Sequence, residues 1–368
     1  MPVLLVAAAS DPADLENIHM SLTLSAFIEQ AIANPILIII LLLVLGVTAI
    51  SGVTDAPNAI ATVVSTRCLP PNVAIAIAAV FNLVGLIGMT YISTAVAHTM
   101  FSMVDFGTDT HAALLAVLAG MIAAIAWGIF CWFMGIPASK SHMLIAGVTG
   151  GAIACSGVGG IVPAEWAKVL YGMAFSLVAG FVLGWLVVKG VEKLFARVTR
   201  SKANGFFTIF QDICAVCLSF LHGAQDGQKF MSIALLGIAL SFGNTEPSAD
   251  GFPLWLMITC SLAISAGTAI GGKRIIKNVA MDMVSLSKYQ GASANVSTVV
   301  TLLVSSLTGM PVSTSHCSTS AIMGVGAAKN PKNVNWDTAK SMVVAWVLTF
   351  PCCGLIGFVL SKIFIMLF

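Results

Sequence analysis

Charge is what this sequence has least of. Of its 368 residues, 9% are Asp, Glu, Lys or Arg and 58% are hydrophobic, and the mean hydropathy is +0.99. So few polar side chains leave nothing to cover the surface of a water-soluble globule. The chain is read as an all-α integral membrane protein. Period-two alternation is missing as well, which excludes a membrane β-barrel, and several apolar runs reach the roughly 20 residues that a crossing helix needs. Net charge is only +2 with the basic residues dispersed, so lipid is an expected partner and nucleic acid is not. The opening stretch MPVLLVAAASDPADLENIHM lacks a basic n-region and a long apolar run, the marks of a signal peptide. Residues 1–34 are expected to be an extramembrane lead-in. Most of the nine cysteines lie in apolar segments, where a thiol usually serves as a small hydrophobe. The CxxC of Cys214 and Cys217 has no second ligand pair, so no metal or other cofactor is expected.

What the chain does have is duplication. GIPASKSHMLIAG at 135–147 returns as GMPVSTSHCSTSA at 309–321, and GVTDAPNA at 52–59 returns more loosely as GAQDGQKF at 223–230. Asp55 thereby aligns with Asp226, and Trp166 with Trp336. Each half holds five apolar segments, the first half over 35–188 and the second over 206–368, joined by a basic linker at 189–205. An odd number of crossings inserts the second copy upside down. Lys and Arg collect on the cytoplasmic side, and Arg67, Lys140, the linker, Lys273, Arg274, Lys277, Lys288, Lys329, Lys332 and Lys340 share one side of a ten-crossing model. The loops DFGTDTH, SGVGGIVPAE and GNTEPSADG on the other side carry none. Both termini are thus expected outside, the linker in the cytoplasm, and the protein in the cell membrane as two inverted-topology repeats. Broken helices or re-entrant hairpins at the midplane are compatible with the same odd count.

Two kinds of polar element interrupt the apolar segments. GVTDAPNA places Pro57 inside a helical run, and proline removes a donor and crowds the preceding turn. A broken helix at depth exposes carbonyls and half-helix ends that bind ions. Thr54, Asp55 and Asn58 are candidate ligands for a coupling ion, with Gln225 and Asp226 in the second copy, where the helix is expected to break at the aspartate as well. Gln228 and Lys229 follow, and Lys229 stands three residues after Asp226, close enough to pair with it on a helix. The second element reads as a helix start, with Pro early, then hydroxyls, then an apolar run. Free N–H groups there, joined by Ser139, Ser141, Ser313, Thr314 and Ser315, suit a tetrahedral oxyanion. His142 and His316 occupy equivalent places and are candidate proton carriers, anion donors or packed core histidines. Lys140, where the other copy has Thr314, is either a substrate ligand or a snorkelling lysine at the cytoplasmic end.

At these residues the chain resembles the PiT family of inorganic phosphate transporters, and within it the low-affinity bacterial type. GVTDAPNA and HGAQDGQK are similar to that family's duplicated aspartate signature, and GIPASKSH and GMPVSTSH to its serine-rich pair; the likeness runs from about residue 35 to the end. The resemblance implies phosphate uptake by cation symport, an inverted-repeat fold and a homo-oligomer. It carries substrate or ion binding onto Asp55, Asn58, Asp226, Gln228, Lys229, Ser139, Ser141, Ser313, Thr314 and Ser315. The family's asparagine before each aspartate is Thr54 in one copy and Gln225 in the other, which leaves H+ and Na+ both open as the coupling ion. Sulfate or another oxyanion is the alternative substrate. An intramembrane aspartyl protease, built on two aspartates as an acid–base dyad, leaves the paired serine-rich starts and the duplication unexplained. The expectation is therefore a transporter and not an enzyme.

Overall fold

The computed structural model describes residues 23–134, 138–244, 252–282 and 286–368, with the side chains of 272–282, 333, 338, 339, 341 and 342 excepted. Gly135, Ile136 and Pro137 of the first serine-rich motif and most of the lead-in lie outside the described residues, as do the side chains of Lys273, Arg274 and Lys277. Among the described residues the chain is helical, with a single isolated bridge between Val104 and Ile161. The helices are α1 (Leu24–Ala33), α2 (Pro35–Thr54), α3 (Ala56–Ser65), α4 (Pro71–Ile92), α5 (Ala95–Ser102), α6 (Thr110–Met134) and α7 (Lys140–Ser156). They continue with α8 (Pro163–Leu194), α9 (Arg200–Ser241), α10 (Leu254–Asp282), α11 (Lys288–Leu307), α12 (Thr314–Lys329) and α13 (Trp336–Leu367). Among the described residues, eight stretches are long and apolar enough to cross a membrane. Two of the apolar segments expected in the second half fold as α11 and α12, whose serines and threonines are buried against other helices apart from the half-buried Ser315.

Local chemistry explains the boundaries that matter. Asn34 caps α2 with its side chain on the Ile36 N–H, and Pro35 takes the first helical position, where no donor is needed. At the other end of α2, Asp55 stands alone between two helices. Its N–H bonds the Ser51 carbonyl at 2.8 Å and its carbonyl takes the Asn58 N–H at 3.0 Å. Pro57 has no N–H for the carbonyl of Val53, so the ladder cannot run through. The equivalent place in the second half behaves differently: α9 is continuous through Asp226. The expectation of a break at both aspartates is corrected here, because GAQDGQKF contains no proline and its glycines keep their N–H groups. Helix also extends into the basic linker from both sides, with α8 running to Leu194 and α9 starting at Arg200.

Packing between the halves is reciprocal. Helix α7 of the first half lies on α13 of the second, and α12 of the second lies on α8 of the first; α4 packs on α9, and α10 on α2. Two glycines set the approach in the last two pairs. A Cβ on Gly223 would run into the backbone of Asn82, and a Cβ on Gly52 would run into the backbone of Ile264. Gly52 and Gly223 align in the two duplicated motifs, each three residues before its aspartate. Both aspartates are thus carried on helices drawn to backbone contact with a neighbour.

Candidate functional site

Asp55, at the break, and Asp226, in mid-helix, converge on one hydroxyl. Ser51 Oγ lies 3.0 Å from Asp226 Oδ2 and 3.4 Å from Asp55 Oδ2. It has a single proton, so it donates to one carboxylate at a time. Each carboxylate also holds a lysine: Lys140 Nζ is 2.9 Å from Asp55 Oδ1, and Lys229 Nζ is 2.9 Å from Asp226 Oδ1. Lys229 is fully buried. Its ammonium donates to Asp226, to Ser141 Oγ at 3.0 Å and to the Val312 carbonyl, which engages all three of its protons. Ser141 belongs to the first serine-rich start and Val312 to the second. One buried lysine therefore ties an aspartate to both.

The rest of the expected set divides. Asn58 Nδ2 donates to Ser315 Oγ at 2.7 Å, and Ser315 Oγ donates to Asp55 Oδ1 at 3.3 Å, so both join the cluster. Ser313 caps α12 by accepting from the His316 N–H at 3.4 Å, while Ser139 is the residue before α7 and makes no capping bond. Both are buried beside Ser141 and Thr314 in sequence. Two amides point away. Gln225 donates to Ser306 Oγ at 2.9 Å, and Gln228 donates to the Ser93 carbonyl at 2.8 Å. They anchor α9 to its neighbours. Thr54 bonds the Ile50 carbonyl at 2.9 Å and faces a largely apolar cavity of about 360 Å³ with Trp132, Met143 and Lys140. It is not gathered onto the aspartates.

His142 and His316 meet edge to face with ring centroids 4.7 Å apart, against Trp346 and Phe350. Lys140 is half in and half out: it reaches Asp55 and also lines the apolar cavity. Three participants went unselected from sequence. Ser51 sits one turn before Asp55, His222 one turn before Asp226, and Asn82 is a lone amide in the apolar run of α4. His222 Nδ1 is 2.9 Å from Asn82 Oδ1, and its Nε2 is 3.4 Å from Asp226 Oδ2. The usable signal was the i, i+4 spacing, which puts both residues on the face of their aspartate.

Two carboxylates and two ammoniums, all buried but the half-buried Lys140 and joined by hydroxyls, form a nearly neutral cage. Isolated charges of this kind are too costly to leave unpaired in an apolar bundle. The cage brings together lysines, serine hydroxyls and the N-terminal ends of α7 and α12, donors of the kind that suit an oxyanion.

Comparison with known proteins places the chain in a family. The family model described as "Phosphate transporter family" matches residues 51–357. A probable low-affinity inorganic phosphate transporter of Bacillus subtilis is 36% identical over 331 residues, spanning 89% of this chain and 98% of its own. A protein of the same description from Rhizobium meliloti is 37% identical over 330 residues, spanning 89% of this chain and 96% of its own. A solved structure described as "The sodium-dependent phosphate transporter" superposes with a TM-score of 0.81 at 19% identity, covering 91% of this chain and all of that one. At that identity the likeness speaks for the fold. The matched span contains both aspartates, both lysines and both serine-rich starts, and the chain belongs to the phosphate transporter family.

Proposed function

We propose that the protein imports inorganic phosphate across the cell membrane by proton symport, through alternating access of two inverted repeats to one central site. The observation that carries this reading is the lysine on each aspartate. A sodium site is an all-oxygen cage, as for other hard cations, and here an ammonium nitrogen stands at 2.9 Å from each carboxylate. Protons need no such cage. They can be taken up by the carboxylates and by bases in contact with them.

Charge explains the coupling. Two like unit charges 4 Å apart repel by about 4 kcal/mol at an effective dielectric constant of about 20, so a divalent anion does not settle beside two carboxylates unless positive charge arrives with it. Bound proton and bound anion each favour the other. The same carboxylates favour phosphate over sulfate. Phosphate near neutral pH keeps a proton to donate to Asp55 or Asp226, whereas sulfate has none and would face them with lone pairs only. A buried acceptor left unpaired is a strong basis for rejection.

The basic residues on one predicted face support outward termini, a cytoplasmic turn between α8 and α9, and import as the working direction. The test is labelled phosphate uptake into proteoliposomes with pH and sodium gradients imposed separately. The expected result is accumulation with acid outside and none from a sodium gradient at equal pH, with sulfate in about hundredfold excess failing to compete. Accumulation driven by sodium alone, or equal competition by sulfate, contradicts the proposal.

A further inference from the structure

His222 is the buried base that the coupling scheme above leaves without a part. Its surroundings dictate where its protons are. Thr268 Oγ1 gives its single proton to the Ile264 carbonyl at 2.8 Å, so towards Asn82 it only accepts. Asn82 Nδ2 donates to it at 2.9 Å, which turns Asn82 Oδ1 towards His222. A flipped amide would set two acceptors against each other. His222 Nδ1, at 2.9 Å from Asn82 Oδ1, must therefore be an N–H. In a neutral imidazole the other nitrogen is then a bare lone pair. That nitrogen, Nε2, is 3.4 Å from Asp226 Oδ2, forms no hydrogen bond, and would present its lone pair to a carboxylate.

We infer that His222 Nε2, held against Asp226 Oδ2, is the binding site of the coupling proton; the inference rests on the proton-symport reading. With the proton on Nε2 the imidazolium lies against Asp226, and the cage gains one positive charge next to the Lys229–Ser141 pair where the anion is held. Without it the two lone pairs repel and the site is short of charge. The proton enters from water on the outer face, occupies Nε2 while phosphate is bound, and leaves to water on the cytoplasmic face. Asn82 and Thr268 keep the ring in the tautomer that makes Nε2, and not Nδ1, the acceptor.

The charged groups in contact with His222 or one hydrogen bond beyond are Asp226 and Lys229 on α9 and, through Ser51, Asp55 at the end of α2 with its Lys140. On other elements packed against α9, Tyr91, His98 and His111 are exposed, Lys288 bonds Thr208 and Tyr289 bonds Glu192. Cys260 of α10, Cys131 of α6 and Cys317 of α12 are buried thiols, and His316 of α12 stacks on His142 and Trp346.

Two variants test this in proteoliposomes, with labelled phosphate as the probe. Asn82→Asp puts a carboxylate beside Nδ1–H and strengthens the imidazolium. The pH profile of gradient-driven uptake then moves up by about one unit or more relative to the parent protein, the substrate's own titration being common to both. An unshifted profile overturns the assignment. His222→Gln removes the titrating nitrogen, and the ratio of pH-driven uptake to phosphate–phosphate exchange falls at least about tenfold. An unchanged ratio overturns the assignment while leaving proton symport standing. A parent protein driven by sodium alone overturns both.

Discussion

Lys229 is the residue on which the buried cage depends most. It is enclosed on all sides and engages Asp226, Ser141 and the Val312 carbonyl together. Breaking a buried ion pair by removing one partner costs about 3–5 kcal/mol, because the other charge is left uncompensated, whereas removing both is far milder. Lys229→Met is expected to destabilise the protein by that amount in a thermal or denaturant unfolding assay in detergent. The double variant Asp226→Asn with Lys229→Met is expected to recover most of the stability and none of the transport. Equal stability of the single and double variants contradicts the pairing. Asp55, Asp226 and Lys229 were legible in the sequence because ionisable residues are rare in apolar segments and so mark themselves. Ser51, Asn82 and His222 were not, since neutral polar residues occur in many buried helices, and only three-dimensional proximity distinguishes a relay from a set of satisfied side chains. Thr54 shows the reverse error. Proximity to Asp55 in sequence suggested a ligand, but on a helix adjacent residues face different ways.

The break between α2 and α3 is the element whose chemistry was most readable and whose counterpart was not. Proline in an apolar run predicts a lost hydrogen bond wherever it stands, and Pro57 delivers it. Asp226 was expected to break its helix by analogy with the first copy, and analogy failed because the residue that does the breaking was not duplicated. One half of the site is thus carried on a helix break and the other on a continuous 42-residue helix. Pro57→Ala restores a donor to the Val53 carbonyl and lets α2 and α3 join. The expected outcome is an unfolding temperature no lower than that of the parent, with uptake reduced by about tenfold or more because Asp55 is displaced from Ser51 and Lys140. Unaltered uptake would show that the break has no part in transport.

For the whole molecule, membrane residence and the serial order of helices follow from hydropathy, and the two halves are packed together by α7 on α13 and α12 on α8. Polar segments were harder to place: α11 and α12 fall short of membrane-crossing composition because each turns a face rich in serine and threonine inward to the bundle, while α11 leaves Val300, Leu303 and Leu307 exposed on the other. The topology has its own test. In a cysteine-depleted background, a membrane-impermeant thiol reagent applied to intact cells is expected to label Asp105→Cys and to spare Thr199→Cys; labelling of both contradicts the odd number of crossings between them, and labelling of Thr199→Cys alone contradicts the outward termini.

The central claim is that phosphate moves uphill because protons move with it. The most direct measurement is the steady-state ratio of internal to external phosphate in sodium-free proteoliposomes as the imposed pH gradient is varied. The account predicts a ratio above one that rises with external acidity, collapses with a proton ionophore, and is abolished in Asp55→Asn. A ratio that settles at one whatever the gradient, or that rises only when sodium is supplied, would contradict it.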